Sequence, residues 1–138
     1  MRMTRIAVRY VEGDVLTANV RGHEVSVDQP IEDGGEDLAP NPTELFVAGL
    51  ATCVGFYAER YLRRHDLDPT GLVVACEFAY SQDAPARVSE IRIGVTAPGL
   101  PASRVEPFTR VIERCTVHNS LMRPPTVSME VVRTAKAA

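Results

Sequence analysis

The sequence carries none of the short motifs that mark the common chemistries. It has no glycine-rich phosphate loop, no G-x-S-x-G turn, no H-E-x-x-H helix and no dinucleotide fingerprint. Nothing therefore positions a nucleotide phosphate, an activated serine or a zincin metal. Tryptophan is absent, and there is no C-x-x-C pair. Basic residues form neither a stripe interleaved with aromatics nor a polybasic tract, and the net charge is −3. That balance excludes nucleic acid and anionic membrane as expected partners. The first ten residues hold arginines but no apolar h-region, so no signal peptide is read there. The apolar run 45–58 is too short to cross a bilayer and is followed by Glu59 and Arg60. These features predict a cytoplasmic protein with reduced thiols. Only three cysteines are present, Cys53, Cys76 and Cys115. An odd count argues against a structural disulfide framework and leaves a transient, catalytic disulfide open.

What is present is an ordinary globular composition, 45 % hydrophobic and 24 % charged over 138 residues. One domain, 1–138, with a real core fits that length. Alternation predicts strands at 5–10, at 15–21 after the Glu12-Gly13-Asp14 turn, and at 23–28, where Val25 and Val27 share a face. The segment 30–40 contains Gly34-Gly35 and four acidic residues, with Asp28 just before it. It reads as an exposed loop, either simply solvated or a lid. Asn41 as N-cap, Pro42 at the first helical position and Glu44 in the capping-box position then start a long helix. Arg60, Arg63 and Arg64 complement its C-terminal dipole, and Pro69 and Gly71 stop it. Further strands are expected at 72–80, partly buried on both faces, and at 88–97. A second helix is expected at 101–115, regular from Pro107, and 115–121 ends or re-caps it. Pro124-Pro125 precede a last strand at 126–133 and a frayed tail, 134–138. The order gives an α+β fold with helices against antiparallel sheets.

The first half of the long helix is apolar all round, which predicts burial all round. Gly49 and Gly55 within it each cost about 1 kcal/mol relative to alanine, and their use is close approach of another backbone. A chain of this size cannot easily cover such a helix, whereas a dimer packing two of them together can.

Cys53 lies in that helix. One reading makes it a small buried hydrophobe; the other makes it a nucleophile, which requires a thiolate. Cys53 stands twelve residues past the Asn41 cap, where the helix dipole has faded. A reactive Cys53 therefore needs a cation from elsewhere, arginine being the natural choice. Cys115 ends an apolar helical stripe, and His118 lies three residues on. This permits a Cys–His nucleophile, a Cys–His acyl transferase or hydrolase, or plain core packing. Cys76, mid-strand among apolar neighbours, reads as core. No metal-ligand spacing is present, and no cofactor or metal is expected.

The segments P-T-E-L-F-V-A-G-L-A-T-C (42–53) and C-T-V-H-N-S-L (115–121) resemble the two cysteine motifs of the OsmC/Ohr family. The cysteines stand 62 positions apart, close to that family's separation, and R-G-H-E-V-S-V-D-Q-P (21–30) is similar to OsmC-type sequences. The resemblance implies antiparallel sheets around a long buried central helix, in an intertwined homodimer. It implies a cysteine-based peroxidase for organic hydroperoxides, some members acting on hydrogen peroxide, recycled by an external dithiol. Cys53 would be the peroxidatic cysteine and Cys115 the resolving one. An N-terminal arginine would activate the thiolate: Arg21, with Arg9 and Arg5 as alternatives. A glutamate near the helix start would hold that arginine. In the family pattern it follows the proline directly, whereas here Thr43 takes that place and Glu44 comes next. Nine residues at about 100° each put Glu44 opposite Cys53 on a straight helix, so either the helix start is irregular or Glu44 only caps. Phe46, Leu50, Phe56 and Tyr57 are candidate walls of an alkyl-peroxide pocket. A redox sensor or ligand-binding protein on the same fold is the alternative.

Overall fold

The structure is a computed structural model and describes residues 1–134. The N-terminal third is a three-stranded antiparallel sheet, β1 (Ala7–Glu12), β2 (Val15–Val20) and β3 (His23–Val27), in the order β1-β2-β3. Its register is set by its turns. Val20 pairs with His23, so Arg21 and Gly22 alone form the second turn, with φ of 52° and 84°. Positive φ at both turn residues matches the right-handed twist of the flanking strands. Glycine adopts this without strain; Arg21 does so as one of three non-glycine residues with positive φ among the described residues.

The acidic segment after β3 is not a loosely solvated loop. A 3₁₀ turn spans Ile31–Asp33, and the chain closes around Asp28, which is 1 % exposed. Its carboxylate accepts backbone N–H bonds from Gln29 at 2.7 Å, Glu36 at 3.2 Å and Leu38 at 3.1 Å. A Cβ at Gly35 would strike the Gln29 carbonyl. The Leu38 amide, aided by those of Gln29 and Glu36 and opposed by burial, holds the Asp28 carboxyl below the usual carboxylate range. A depressed folded pKa adds stability above the unfolded value, and this is lost as pH falls through the folded one. Acidification below the ordinary carboxylate range is therefore expected to open this segment. Hydrogen exchange at the Glu36 and Leu38 amides should rise there, and in Asp28→Ala it should be fast already at neutral pH.

Helix α1 (Pro42–Arg64) begins on a complete capping box: Glu44 N–H donates to Asn41 Oδ1 at 2.8 Å, and Asn41 N–H donates to Glu44 Oε1 at 2.9 Å. Val47, Leu50, Val54, Ala58, Tyr61 and Leu62 are buried along one stripe. The expectation of burial on every face is not met within the chain. Phe46 is 45 % and Phe56 51 % exposed on the other side, because β4, β5, α2 and α3 supply most of the packing on this helix. Gly55 meets the Val74 side chain rather than a backbone, and Gly49 faces open space.

A second sheet pairs β4 (Val73–Tyr80) with β5 (Val88–Thr96) in antiparallel register, Cys76 opposite Ile93. Burial in β4 alternates, with Val74, Cys76 and Phe78 inward. This corrects the expectation of two buried faces: α1 covers only one. The second helix is shorter than 101–115. A 3₁₀ turn at Ala102–Arg104 leads into α2 (Val105–Ile112), which buries Phe108. Pro107 is tolerated because it falls in the first turn, where an N–H has no intrahelical acceptor. The chain then re-caps at Cys115 and forms α3 (Thr116–Met122). The strand expected at 126–133 does not form. The segment joins neither sheet, and Met129 and Val131 are about nine-tenths exposed; an extended segment without a ladder partner is no strand. Of the tail, residues 135–138 lie outside those described. The architecture is α+β, two antiparallel sheets with three helices. No helix among the described residues is long and apolar enough to cross a membrane.

Candidate functional site

Two elements distant in sequence place the cysteines together. Cys53 sits in α1 between the buried Leu50 and Val54, itself half-buried. Cys115 is wholly buried and is the N-cap of α3, with φ −65° and ψ 150°. Both belong to one apolar cluster that also includes Tyr57, Val74, Ile112 and Leu121. Tyr57 and Thr116 exchange a hydroxyl–hydroxyl bond of 3.0 Å, which ties α1 to the first residue of α3 beside Cys115. The sequence offers no signal for this bond, since its partners are 59 positions apart.

Burial pushes the Cys115 thiol up; the His118 N–H, donating to Sγ at 3.4 Å, opposes this, and the adjacent Cys53 thiol adds to it. The two thiols thus interact, and Cys115 is held protonated beside Cys53. Cys76 faces inward from β4 with its thiol raised by burial, as a core cysteine should be.

His118 offers Cys115 its backbone, not its ring. The ring Nδ1 lies 2.6 Å from the Glu113 carbonyl. A Cys–His nucleophile needs a base at the sulfur and access for substrate, and this arrangement gives neither to a sulfur with no exposure.

Arg21 sits exposed at the β2–β3 turn. Arg9 is exposed on β1 and paired with Glu24 at 3.0 Å, and Arg5 precedes β1. Val8, Leu16, Val25 and Val27 of the N-terminal sheet line a hollow with Pro42 and Leu45 at the start of α1, whereas Cys53 and Cys115 lie in the cluster where α1 meets the second sheet and α3. Glu44 is exposed, with one oxygen committed to the capping box. The four expected pocket residues do not converge. Leu50 is core, Phe46 lines a hollow with Pro42, Tyr80 and Val88, and Phe56 and Tyr57 line a cleft toward α2. Among the described residues, no group of three or more His, Cys, Asp or Glu side chains comes together to hold a metal ion.

The comparisons with known proteins agree with this architecture. No curated protein matches the chain. Among solved structures, a Psychrobacter arcticus protein named for osmotic stress induction and detoxification response superimposes with a TM-score of 0.77 at 26 % identity. The match covers 87 % of this chain and 89 % of that one. An OsmC-like protein from Mycoplasma pneumoniae gives 0.72 at 18 % identity, with 88 % of each chain covered. An organic hydroperoxide resistance protein OsmC from Legionella pneumophila gives 0.59 at 20 %, covering 88 % of this chain and 90 % of that one. The family model described as OsmC-like protein matches residues 34–130, a span that takes in α1, the second sheet and both cysteines. With this fold and that span of matching sequence, the chain belongs to the OsmC-like family.

Proposed function

We propose that this protein is a thiol-dependent peroxidase for organic hydroperoxides, working as an intertwined homodimer. The observation that carries the reading is the pairing of a half-buried Cys53 with a wholly buried Cys115 in one apolar cluster. The Cys53 thiolate attacks the distal oxygen of a hydroperoxide. The O–O bond breaks, Cys53 becomes a sulfenic acid, and the alkoxide takes a proton and leaves as an alcohol. The Cys115 thiol then condenses with the sulfenic acid, releasing water and forming the Cys53–Cys115 disulfide. An external dithiol reduces that disulfide and is itself oxidised. The burial that keeps Cys115 protonated leaves the first attack to the more exposed Cys53.

The cation that Cys53 needs comes from the N-terminal sheet of the second copy. Arg21 is the first choice, because Arg9 is already engaged by Glu24; Glu44 keeps its second oxygen for that guanidinium. The dimer is supported by apolar surface that one chain leaves open: Phe46 on α1, Val8 and Val25 on the first sheet, and Val127, Met129 and Val131 beyond α3. Light scattering is expected to give twice the chain mass, and Phe46→Asp to halve it. A wild-type monomer that turns over peroxide would refute the dimeric site.

The test of the chemistry is titration of thiols after one equivalent of cumene hydroperoxide, followed by steady-state turnover with a dithiol. Loss of two thiols per chain and sustained turnover are expected. Disulfide formation without turnover would make the protein a redox sensor, and no loss of thiols would end the proposal.

A further inference from the structure

Between the second half of α1 and α2 lies an open cleft of about 500 Å³, within the size range of small-molecule sites. Arg60 and Arg64 line it from α1, and Arg104, Arg110 and Arg114 from α2 and its flanks; no carboxylate does. Of these five arginines, only Arg110 has a carboxylate partner among the described residues, Glu106 at 2.9 Å. Arg60 lies over the Phe56 ring, 5.3 Å from its centroid. Arginine does not relieve mutual repulsion by losing its proton, so five guanidiniums around one hollow favour an anion of more than one charge.

Part of the cleft wall is held rigidly. Tyr61 forms part of the cleft wall and is 5 % exposed, yet its hydroxyl is buried without a hydrogen-bond partner. The ring is fixed, stacked on His65 at 4.1 Å and edge-on to Phe108 at 5.4 Å.

We propose that this cleft binds a small phosphorylated molecule. Its phosphate oxygens accept from the guanidiniums, and its apolar body rests on Phe56, Pro107 and Val111. Phosphate offers three acceptor oxygens and up to two charges in a geometry that guanidinium binds bidentately; a single carboxylate leaves most of these donors unanswered. The site is independent of the thiol chemistry and needs neither cysteine.

Calorimetry of the full chain with pyrophosphate, ADP, adenosine and citrate tests it. Pyrophosphate and ADP are expected to bind, adenosine not, with affinity falling as salt rises. Arg64→Ala is expected to weaken pyrophosphate about tenfold while leaving thermal stability unchanged, since Arg64 is exposed. Combined Arg64→Ala, Arg104→Ala and Arg114→Ala is expected to abolish binding. No heat with either phosphate compound, undiminished affinity in Arg64→Ala, or citrate binding as tightly as pyrophosphate would each overturn the proposal.

Discussion

Cys53→Ser is expected to lose dithiol-dependent peroxide turnover by more than about a hundredfold, because a serine hydroxyl does not ionise near neutral pH and a thiolate is the nucleophile. Cys115→Ser is expected to behave differently. Cys115 is the N-cap of α3, and its sulfur accepts the His118 N–H. Serine is among the preferred N-cap residues, so the helix start should survive the exchange. The variant should still consume the first equivalent of hydroperoxide but form no disulfide. Its Cys53 sulfenic acid would then persist and, with excess peroxide, advance to the sulfinic acid. Mass spectrometry of the 53-containing peptide reads this directly, and stopped-flow peroxide consumption separates first attack from turnover. Full steady-state turnover in Cys53→Ser would sink the assignment, as would a first equivalent lost only in Cys115→Ser.

Leu62→Ala is expected to destabilise the fold by about 2–5 kcal/mol, a large share of the roughly 5–15 kcal/mol that holds a domain folded. Leu62 has no exposure and packs with Ala58, Tyr61 and Phe108, where α1 meets α2 and the second sheet. Its neighbours come from β5 and both flanks of that sheet, including Leu72, Val95 and Leu100. A cavity there cannot be closed by moving one element alone. Urea unfolding should show a lower midpoint with an unchanged slope. A loss below about 1 kcal/mol would mean the cluster relaxes into the void, since the cost depends on how far a site collapses.

Much of the local structure was legible from short-range chemistry. The Asn41–Pro42–Glu44 start of α1 and the strands around Gly13, Gly22 and Pro85 follow from side chains acting on nearby backbone, and they stand where the sequence placed them. Long-range partners were not legible. Asp28 looked like one more acidic residue before a solvated loop, yet its carboxylate gathers the amides of residues up to ten positions away. Segment 126–133 alternates as a strand should, but a strand exists only against a partner, and the chain presents none to it. Alternation also failed in β4, where mixed apolar residues suggested two buried faces and only one has a helix over it.

The same division holds at the candidate site. The sequence by itself determined which groups are available: three cysteines, arginines in place of a helix dipole at Cys53, a glutamate in capping position, and a family resemblance carried by two motifs. Each is a property of residue type and near-neighbour spacing. Only the tertiary structure decided that Cys53 and Cys115 share one apolar cluster, that Cys115 caps a separate helix and is kept protonated by burial, and that the His118 ring is tied to Glu113. It alone gathered five arginines around one cleft. Burial and convergence depend on how α1, α2 and α3 pack, and packing joins residues that no local rule connects.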